Sequence, residues 1–270
     1  MELVPGARTF DVPGEAYDAY MGRYARPLAS EFATFAGVAA GQRALDVGCG
    51  PGALTGELVG RLGADAVAAC DPSTLFVEAC QRRNPGVDVR QGTAERLPFE
   101  DGEFSVVLAQ LVLNFVSDPA DAAAQLRRVT RPGGTIAACV WDFAGGMQLL
   151  RAFWDAALSL DPGAPDEQRT MRFGERGEIA ELFVEAGLAD VTESTLTVSS
   201  HYRDFDELWS GCLSGTGPVG SYCVSLSAPA QNALCAALHE RLGAPAGPFT
   251  LDAVAWAARG TVVDREDGRA

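Results

Sequence analysis

The stretch Arg43–Gly52, RALDVGCGPG, decides the fold. A short apolar run is followed by the acid Asp46 and then by glycines at 48, 50 and 52. Glycine adopts positive φ without a steric penalty and lets a backbone come close to a ligand. In open α/β sheets that approach occurs beyond the carboxyl ends of the strands. RALDVG therefore reads as a strand, the three glycines as the turn that receives a ligand, and Gly52–Gly63 as the following helix, closed by its own glycine.

The alternation continues outward from this turn. DAVAACD is a second strand ending on Asp71, and PSTLFVEACQRRN is a helix opened by proline and stopped by Asn84-Pro85. VDVRQG is a third strand, EFSVVLAQLVL contains a fourth, 118–130 is a helix and GTIAACVWD is a fifth strand. Beyond Asp142 the pattern loosens into the helical stretches MQLLRAFWDAALSL and RGEIAELFVEAGL and a strand, VTESTLTVS. An irregular segment, SGTGPVGSYCVSLS, then precedes a helix from Pro229 to Leu242 and a last short strand, AVAWAARG. Short apolar runs alternating with helices mark a parallel sheet with crossover helices. The expected fold is α/β: a Rossmann-like, seven-stranded, mostly parallel sheet with helices on both faces and a helical cap inserted in the C-terminal half. The expected division is a helical lid over 1–42, a binding core over 43–142, a cap and acceptor region with the last strands over 143–262, and a tail over 263–270.

Composition narrows the chemistry. The 270 residues are 47% hydrophobic, enough for one core carrying an insertion. MELVPGARTF lacks the basic and apolar regions of a secretory leader and no later run has the length of a bilayer span, so a cytoplasmic protein is expected. Seven cysteines without a C-x-x-C pair argue against a disulfide framework and a thiolate zinc site, and no metal is expected. A formal charge of −15 opposes a nucleic-acid partner. Lysine is missing altogether, which removes Schiff-base chemistry and the ammonium of a Walker-type phosphate loop.

Two ligands compete for the glycine turn. Gly48-x-Gly50-x-x-Ala53 also satisfies the dinucleotide fingerprint, with Asp71 placed as a ribose-binding acid roughly twenty residues on. Asp46 separates the two, because a carboxylate entering the loop repels a pyrophosphate and attracts an ammonium. Pro51 removes an N–H that a phosphate would use. Structural readings stand beside these: Asp46 as a cap of the turn and Asp71 as the N-cap of the next helix.

LDVGCGPG, the acid in ACDPS, GTAERLPFEDGEFSVVLAQLVLNFVSDP and RRVTRPGGTIAACVWD together resemble the class I S-adenosylmethionine-dependent methyltransferases. The branch is that of the ubiquinone and menaquinone biosynthesis C-methyltransferases, and the motif-level resemblance runs from Tyr17 to Asp142. It implies S-adenosylmethionine as cofactor and S-adenosylhomocysteine as product. Asp46, Gly48 and Gly50 would hold the methionine end, and Asp71, with Pro72 beside it, the ribose hydroxyls. Ala94 would offer its N–H to adenine between Thr93 and Glu95, where many relatives carry Asp in place of Thr93. Gln110 and Leu111 would line the sulfonium side, and Tyr20, Arg23 and Tyr24 would close over the cofactor, unless these three only pack a helix on the sheet.

On the acceptor side, Asn114 and Asp142 follow the fourth and fifth strands, where such relatives place pocket residues, and His201 follows a later strand; these three are the catalytic candidates. His239 reads as part of a solvated helix face, and Phe153, Trp154, Trp209 and Tyr222 as an aromatic pocket or as core. The implied reaction is in-line methyl transfer to a small, apolar or aromatic molecule such as a quinone precursor, a phenol or a natural product. Alignment and exclusion of water can carry much of such a displacement, which suits a chain with two histidines. The alternatives are an NAD(P)-dependent oxidoreductase and a non-catalytic S-adenosylmethionine-binding module. A small-molecule acceptor, no nucleic acid and no membrane span are the expected partner properties.

Overall fold

The computed structural model describes residues 14–263. The chain enters through α1 (Gly14–Tyr17), a wider π-type turn at Asp18–Gly22, and α2 (Arg23–Phe35). The core follows as β1 (Ala44–Val47), α3 (Ala53–Leu62), β2 (Val67–Asp71), α4 (Thr74–Arg83), β3 (Asp88–Gln91), β4 (Phe104–Gln110), α5 (Pro119–Val129) and β5 (Thr130–Trp141). The C-terminal half holds α6 (Gln148–Leu160), α7 (Glu167–Thr170), α8 (Glu178–Glu185), β6 (Leu188–Tyr202), α9 (Phe205–Cys212), α10 (Gly217–Ser225), α11 (Ala228–Arg241) and β7 (Phe249–Val262).

One seven-stranded sheet runs in the order β3-β2-β1-β4-β5-β7-β6. Pairing is parallel from β3 through β5, and β7 is antiparallel to both β5 and β6. The first three strands step outward from β1 and the chain then returns to place β4 on its other side, so the strand order reverses between β1 and β4. A ligand crevice opens beyond the carboxyl ends of strands at such a switch.

β1 is buried at every position, as expected of a strand covered on both faces. β6 alternates buried and exposed residues over its outer half, the signature of a half-covered edge. α2 packs on α3 and β6 through Tyr24, Leu28 and Phe32, spaced for one helix face. These side chains join Leu45, Phe104, Leu108 and Leu126 in a hydrophobic core continuous from α2 to β7.

Four features depart from the sequence reading. The last two strands are longer than VTESTLTVS and AVAWAARG. The segment read as irregular contains α10. Residues 205–212 form α9, N-capped by Asp204, whose carboxylate accepts the Glu207 N–H at 2.8 Å. Finally, α4 begins at Thr74 with Ser73 as its N-cap, its hydroxyl accepting from the Phe76 N–H, so Asp71 is not the cap. Of the proposed lid, residues 1–13 lie outside the described residues, as does the tail from 264.

Candidate active site

The turn after β1 is held open by backbone geometry. Gly48, Gly50 and Gly52 all have positive φ, and the Gly48 and Cys49 N–H groups donate to the Cys70 carbonyl at 2.8 and 3.0 Å, tying the turn to β2. A Cβ at Gly48 would collide with the Val112 side chain, and one at Gly52 would lie 2.5 Å from Asn84 Nδ2. A Cβ at Gly50 would meet nothing within 4 Å. Packing thus demands glycine at 48 and 52, while Gly50 faces open space.

Gly50 N–H donates to Asp71 Oδ2 and Ser73 N–H to Asp71 Oδ1, both at 2.9 Å. A carboxylate offers about four acceptor positions, so two remain for hydroxyls in the crevice. Burial lifts the Asp71 pKa to about 6 against the pull of those two N–H groups. Asp46 lies beneath the turn, 1% exposed, accepting Thr55 Oγ1–H at 2.6 Å. Burial pushes its pKa up to about 7, with the charge of Asp71 adding to the effect.

The end of β4 turns sharply at Leu111, whose φ of 61° is a left-handed conformation rare for a side chain of its size. Its N–H is anchored to the Cys139 carbonyl at 2.8 Å. Strain of this kind gathers where a fold over-determines a functional turn. Here it carries the chain along the wall of a cavity of about 630 Å³.

That cavity joins two environments. One end is made by Gly48, Gly50 and the Asp71–Phe76 segment. The other is apolar, with Met21, Phe115, Trp141, Phe143, Leu150 and Pro218, and holds one carboxylate, Glu167. Glu167 is buried, accepts the Trp154 indole N–H at 2.8 Å and has its pKa raised by that burial to about 7. Tyr20 OH, Gln110 Oε1 and Asn114 Oδ1, all on lining residues, are buried without a hydrogen-bond partner. Orphaned buried polar atoms are uncommon in a finished core, and those that line a cavity can be satisfied by a ligand or by water.

These residues fit S-adenosylmethionine. Asp71 has acceptor capacity for a ribose diol, Gly50 offers an uncluttered backbone, and Gln110 Oε1 and the acids below the turn suit an ammonium.

Of the residues read from sequence, Tyr20, Gly48, Gly50, Asp71, Pro72, Gln110, Leu111 and Asn114 come together in the cavity wall. The others are placed elsewhere. Arg23 donates to the His201 carbonyl at 2.7 Å and to Glu207 Oε1 at 3.3 Å, and lies 4.0 Å over the Tyr202 ring, so it anchors α2 to β6. Tyr24 is core, its hydroxyl 3.0 Å from that of Tyr202. His201 is exposed on β6, its Nδ1 paired with Thr250 Oγ1 at 2.7 Å across the strand pair. Asp142 accepts the N–H groups of Ala144, Gly145 and Gly146, capping the turn after β5. Glu95 accepts the Ser117 N–H at 2.7 Å, Ala94 is buried, and Thr93 keeps an unpartnered Oγ1. Phe153 and Trp154 are fully buried core residues in edge-to-face contact. Sequence reasoning missed Tyr17, Ser73 and Glu167, all in the lining. The Asp71-x-Ser73 spacing was a signal for Ser73, but none marked Glu167.

Comparison with known proteins agrees with this geometry. Residues 45–138 match the family model described as a methyltransferase domain. The ubiquinone biosynthesis O-methyltransferase of Methylococcus capsulatus is 39% identical over 114 residues, covering 41% of this chain and 48% of that protein. The demethylmenaquinone methyltransferase of Renibacterium salmoninarum is 39% identical over 100 residues, covering 37% and 41%. The chain thus spans about half, or less, of the length of these curated relatives. The crystal structure of the YcgJ protein from Bacillus subtilis superposes with a TM-score of 0.55 at 18% identity, covering 90% of this chain and 99% of that one, which supports the fold. Among the described residues no helix is long and apolar enough to cross a membrane. The glycine turn and the strand-end acid thus both lie within residues 45–138, the stretch that matches the methyltransferase-domain model and that is similar to the ubiquinone and menaquinone methyltransferases.

Proposed function

We propose that the chain binds S-adenosylmethionine across Gly48, Gly50 and Asp71 and transfers its methyl group to a small apolar or aromatic acceptor. One observation carries the reading: a single cavity of about 630 Å³ joins the polar nucleoside cradle to an apolar basin. S-adenosylmethionine, when bound, supplies an electrophilic methyl group on a sulfonium. Asp71 and Gly50 fix the ribose end, and Gln110 and Leu111 set the depth at which the methyl is presented. Asn114 and Tyr20 orient the acceptor by hydrogen bonds, and Trp141, Phe143 and Leu150 keep water from the reacting centre. Orientation and water exclusion are together sufficient to accelerate an in-line displacement by many orders of magnitude. Thr93, with its unpartnered hydroxyl, and the neighbouring Ala94 are assigned to the adenine edge.

The lid is clipped to this site. Asp18 accepts from Arg83 at 2.9 Å and from Arg26 at 2.8 Å, while Arg83 also donates to the Pro51 carbonyl at 3.2 Å. One guanidinium thus couples the first helices to the glycine turn.

The test is incubation of the chain with methyl-labelled S-adenosylmethionine and a panel of phenols, quinols, amines and unsaturated lipids, with S-adenosylhomocysteine and labelled product read by mass spectrometry. Methyl transfer to an apolar member is expected. Tight binding with no turnover on any acceptor would favour the non-catalytic module, and calorimetric binding of NADH alone would favour the oxidoreductase.

A further inference from the structure

Glu167 is used by neither the cofactor cradle nor the fold's own hydrogen bonding in full. It opens α7, in the loop-rich stretch after α6, and is 4% exposed. Its Oε2 accepts the Trp154 indole N–H at 2.8 Å, and no hydrogen bond from the described residues reaches Oε1. Trp154 is itself locked, with Phe153 at 5.1 Å and Tyr222 at 5.5 Å between ring centroids. A carboxylate held at one oxygen by a rigid indole, with the other turned to a cavity, is oriented for a ligand. Asp71 and Glu167 are the two carboxylates in the described lining, one on β2 and the other on α7.

The groups facing Glu167 define what it can meet. Asp166 beside it is buried and drawn away by Arg151, at 3.2 Å, and by Arg169, at 4.0 Å, while accepting the Gln168 N–H. Tyr20 is close enough for the charge of Glu167 to raise its pKa, and its hydroxyl has no protein partner. Among the described residues no arginine pairs with Glu167. The remaining walls are Met21, Phe143, Leu150 and Pro218. A carboxylate-bearing acceptor would be repelled here, and a charged ammonium would give up more hydration to the apolar walls than a neutral group does. A neutral hydroxyl enters at the least desolvation penalty and donates to Oε1. Tyr20 OH and Asn114 Oδ1 remain for the acceptor's other polar atoms.

We propose that Glu167 is a catalytic residue that receives the acceptor's proton, and hence that the acceptor is an apolar molecule presenting a phenolic or enolic hydroxyl. The inference rests on the methyl-transfer reading above. The acceptor O–H bond breaks, with its proton passing to Oε1 of Glu167. The oxygen lone pair forms the new bond to the methyl carbon, and the carbon–sulfur bond breaks with its electron pair left on sulfur. A carboxylate and a sulfonium become a carboxylic acid and a neutral thioether, so charge balances. Burial holds Glu167 near the pH at which it can both take and return a proton, which suits a general base.

Three probes of one shape test this against the full chain loaded with S-adenosylhomocysteine: 1-naphthol, 1-methoxynaphthalene and 1-naphthylmethylamine. A hydrogen bond to a charged group makes the wild type prefer the naphthol over its methyl ether by about tenfold. That preference falls to about threefold or less in E167Q, whose neutral amide accepts more weakly than a carboxylate, with S-adenosylhomocysteine affinity unchanged by calorimetry. In wild type the preference grows as pH rises through about 7, where the carboxyl ionises. Trp154→Phe, which removes the indole donor, moves that rise to higher pH, and the shift stands as an independent reading should E167Q fail to fold. Equal preference in wild type and E167Q, no naphthol binding to the loaded chain, an unmoved rise in Trp154→Phe, or a preference for the amine would each overturn the proposal. Failure of S-adenosylhomocysteine itself to bind would instead overturn the cofactor reading beneath it.

Discussion

Asp46→Asn separates the demands of the site from those of the fold. The wild-type carboxyl is 1% exposed and accepts from Thr55 Oγ1 at 2.6 Å. Burial lifts its pKa from 3.8 to about 7. Between those values the folded chain keeps a proton that the unfolded chain has released. The stabilisation this gives is fully present below about pH 4, is lost as pH rises through about 7, and is absent above. At about 1.36 kcal/mol for each pH unit, the chain without ligand loses about 3 kcal/mol through Asp46 between about pH 5 and about pH 8. The asparagine carbonyl can still accept from Thr55, and it does not titrate. The variant therefore matches wild type below about pH 4, and its advantage over wild type grows by about 3 kcal/mol between about pH 5 and about pH 8, roughly 6–12 °C in midpoint for a domain of this size. Asp71, with its pKa raised to about 6, titrates in both proteins. Urea unfolding followed by tryptophan fluorescence at the two pH values measures the difference, and affinity for S-adenosylmethionine falls in the same variant. Parallel pH profiles for the two proteins would refute the burial argument.

The glycine turn makes a paired prediction. Gly48→Ala, where a Cβ meets Val112 at a φ of 70°, destabilises the fold by about 2–4 kcal/mol from strain and overpacking. Gly50→Ala, where the Cβ meets nothing, costs about 1–2 kcal/mol of backbone strain, yet weakens S-adenosylmethionine binding by about tenfold or more, because the added methyl fills the space the ligand needs. Thermal melts and calorimetry separate the two. Arg83→Ala removes a partly exposed ion pair and so lowers stability by less than about 1 kcal/mol, while release of S-adenosylhomocysteine, followed by stopped-flow quenching of Trp141, becomes several-fold faster.

The half of the site built by β1, β2 and β4 was legible because those strands are covered on both faces and appear as unbroken apolar runs, each ending at a residue of special character: Asp46 before the glycines, Asp71 and Gln110. The acceptor half was not. α10, GPVGSYCVS, has three of its buried positions filled by Gly217, Val219 and Gly220, so no amphipathic period marks it as a helix. The reading in which His201 follows the strand ends β6 at Ser199, three residues too soon. The strand continues through Tyr202, and its alternation turns Ser200 and Tyr202 inward and His201 out. Asp142 caps the turn after β5 through three N–H groups, a use that any Asp before a Gly-rich turn can serve. Glu167 follows Asp166 in a Pro- and Asp-containing stretch that reads as solvated. Its burial depends on Trp154 in α6, and nothing local records that pairing.

The raised acids beneath and beside the glycine turn also fix the sign of a binding measurement. Without ligand, at about pH 6.5, Asp46 is mostly protonated and Asp71 only partly so, because burial outweighs the hydrogen bonds that favour their charged forms. A cationic ligand lowers both pKa values by direct attraction, so its binding must expel protons. A diphosphate in the same cradle would raise them and draw protons in. Calorimetric titration of S-adenosylmethionine at about pH 6.5, in buffers of differing ionisation enthalpy, therefore reports release of about one proton, which vanishes by about pH 8 once both acids are already ionised and shrinks in D46N. Proton uptake, or an enthalpy independent of buffer, would mean that the acids do not meet a positive charge, and the reason for choosing a sulfonium nucleoside over a dinucleotide at Gly48–Gly52 would go with it.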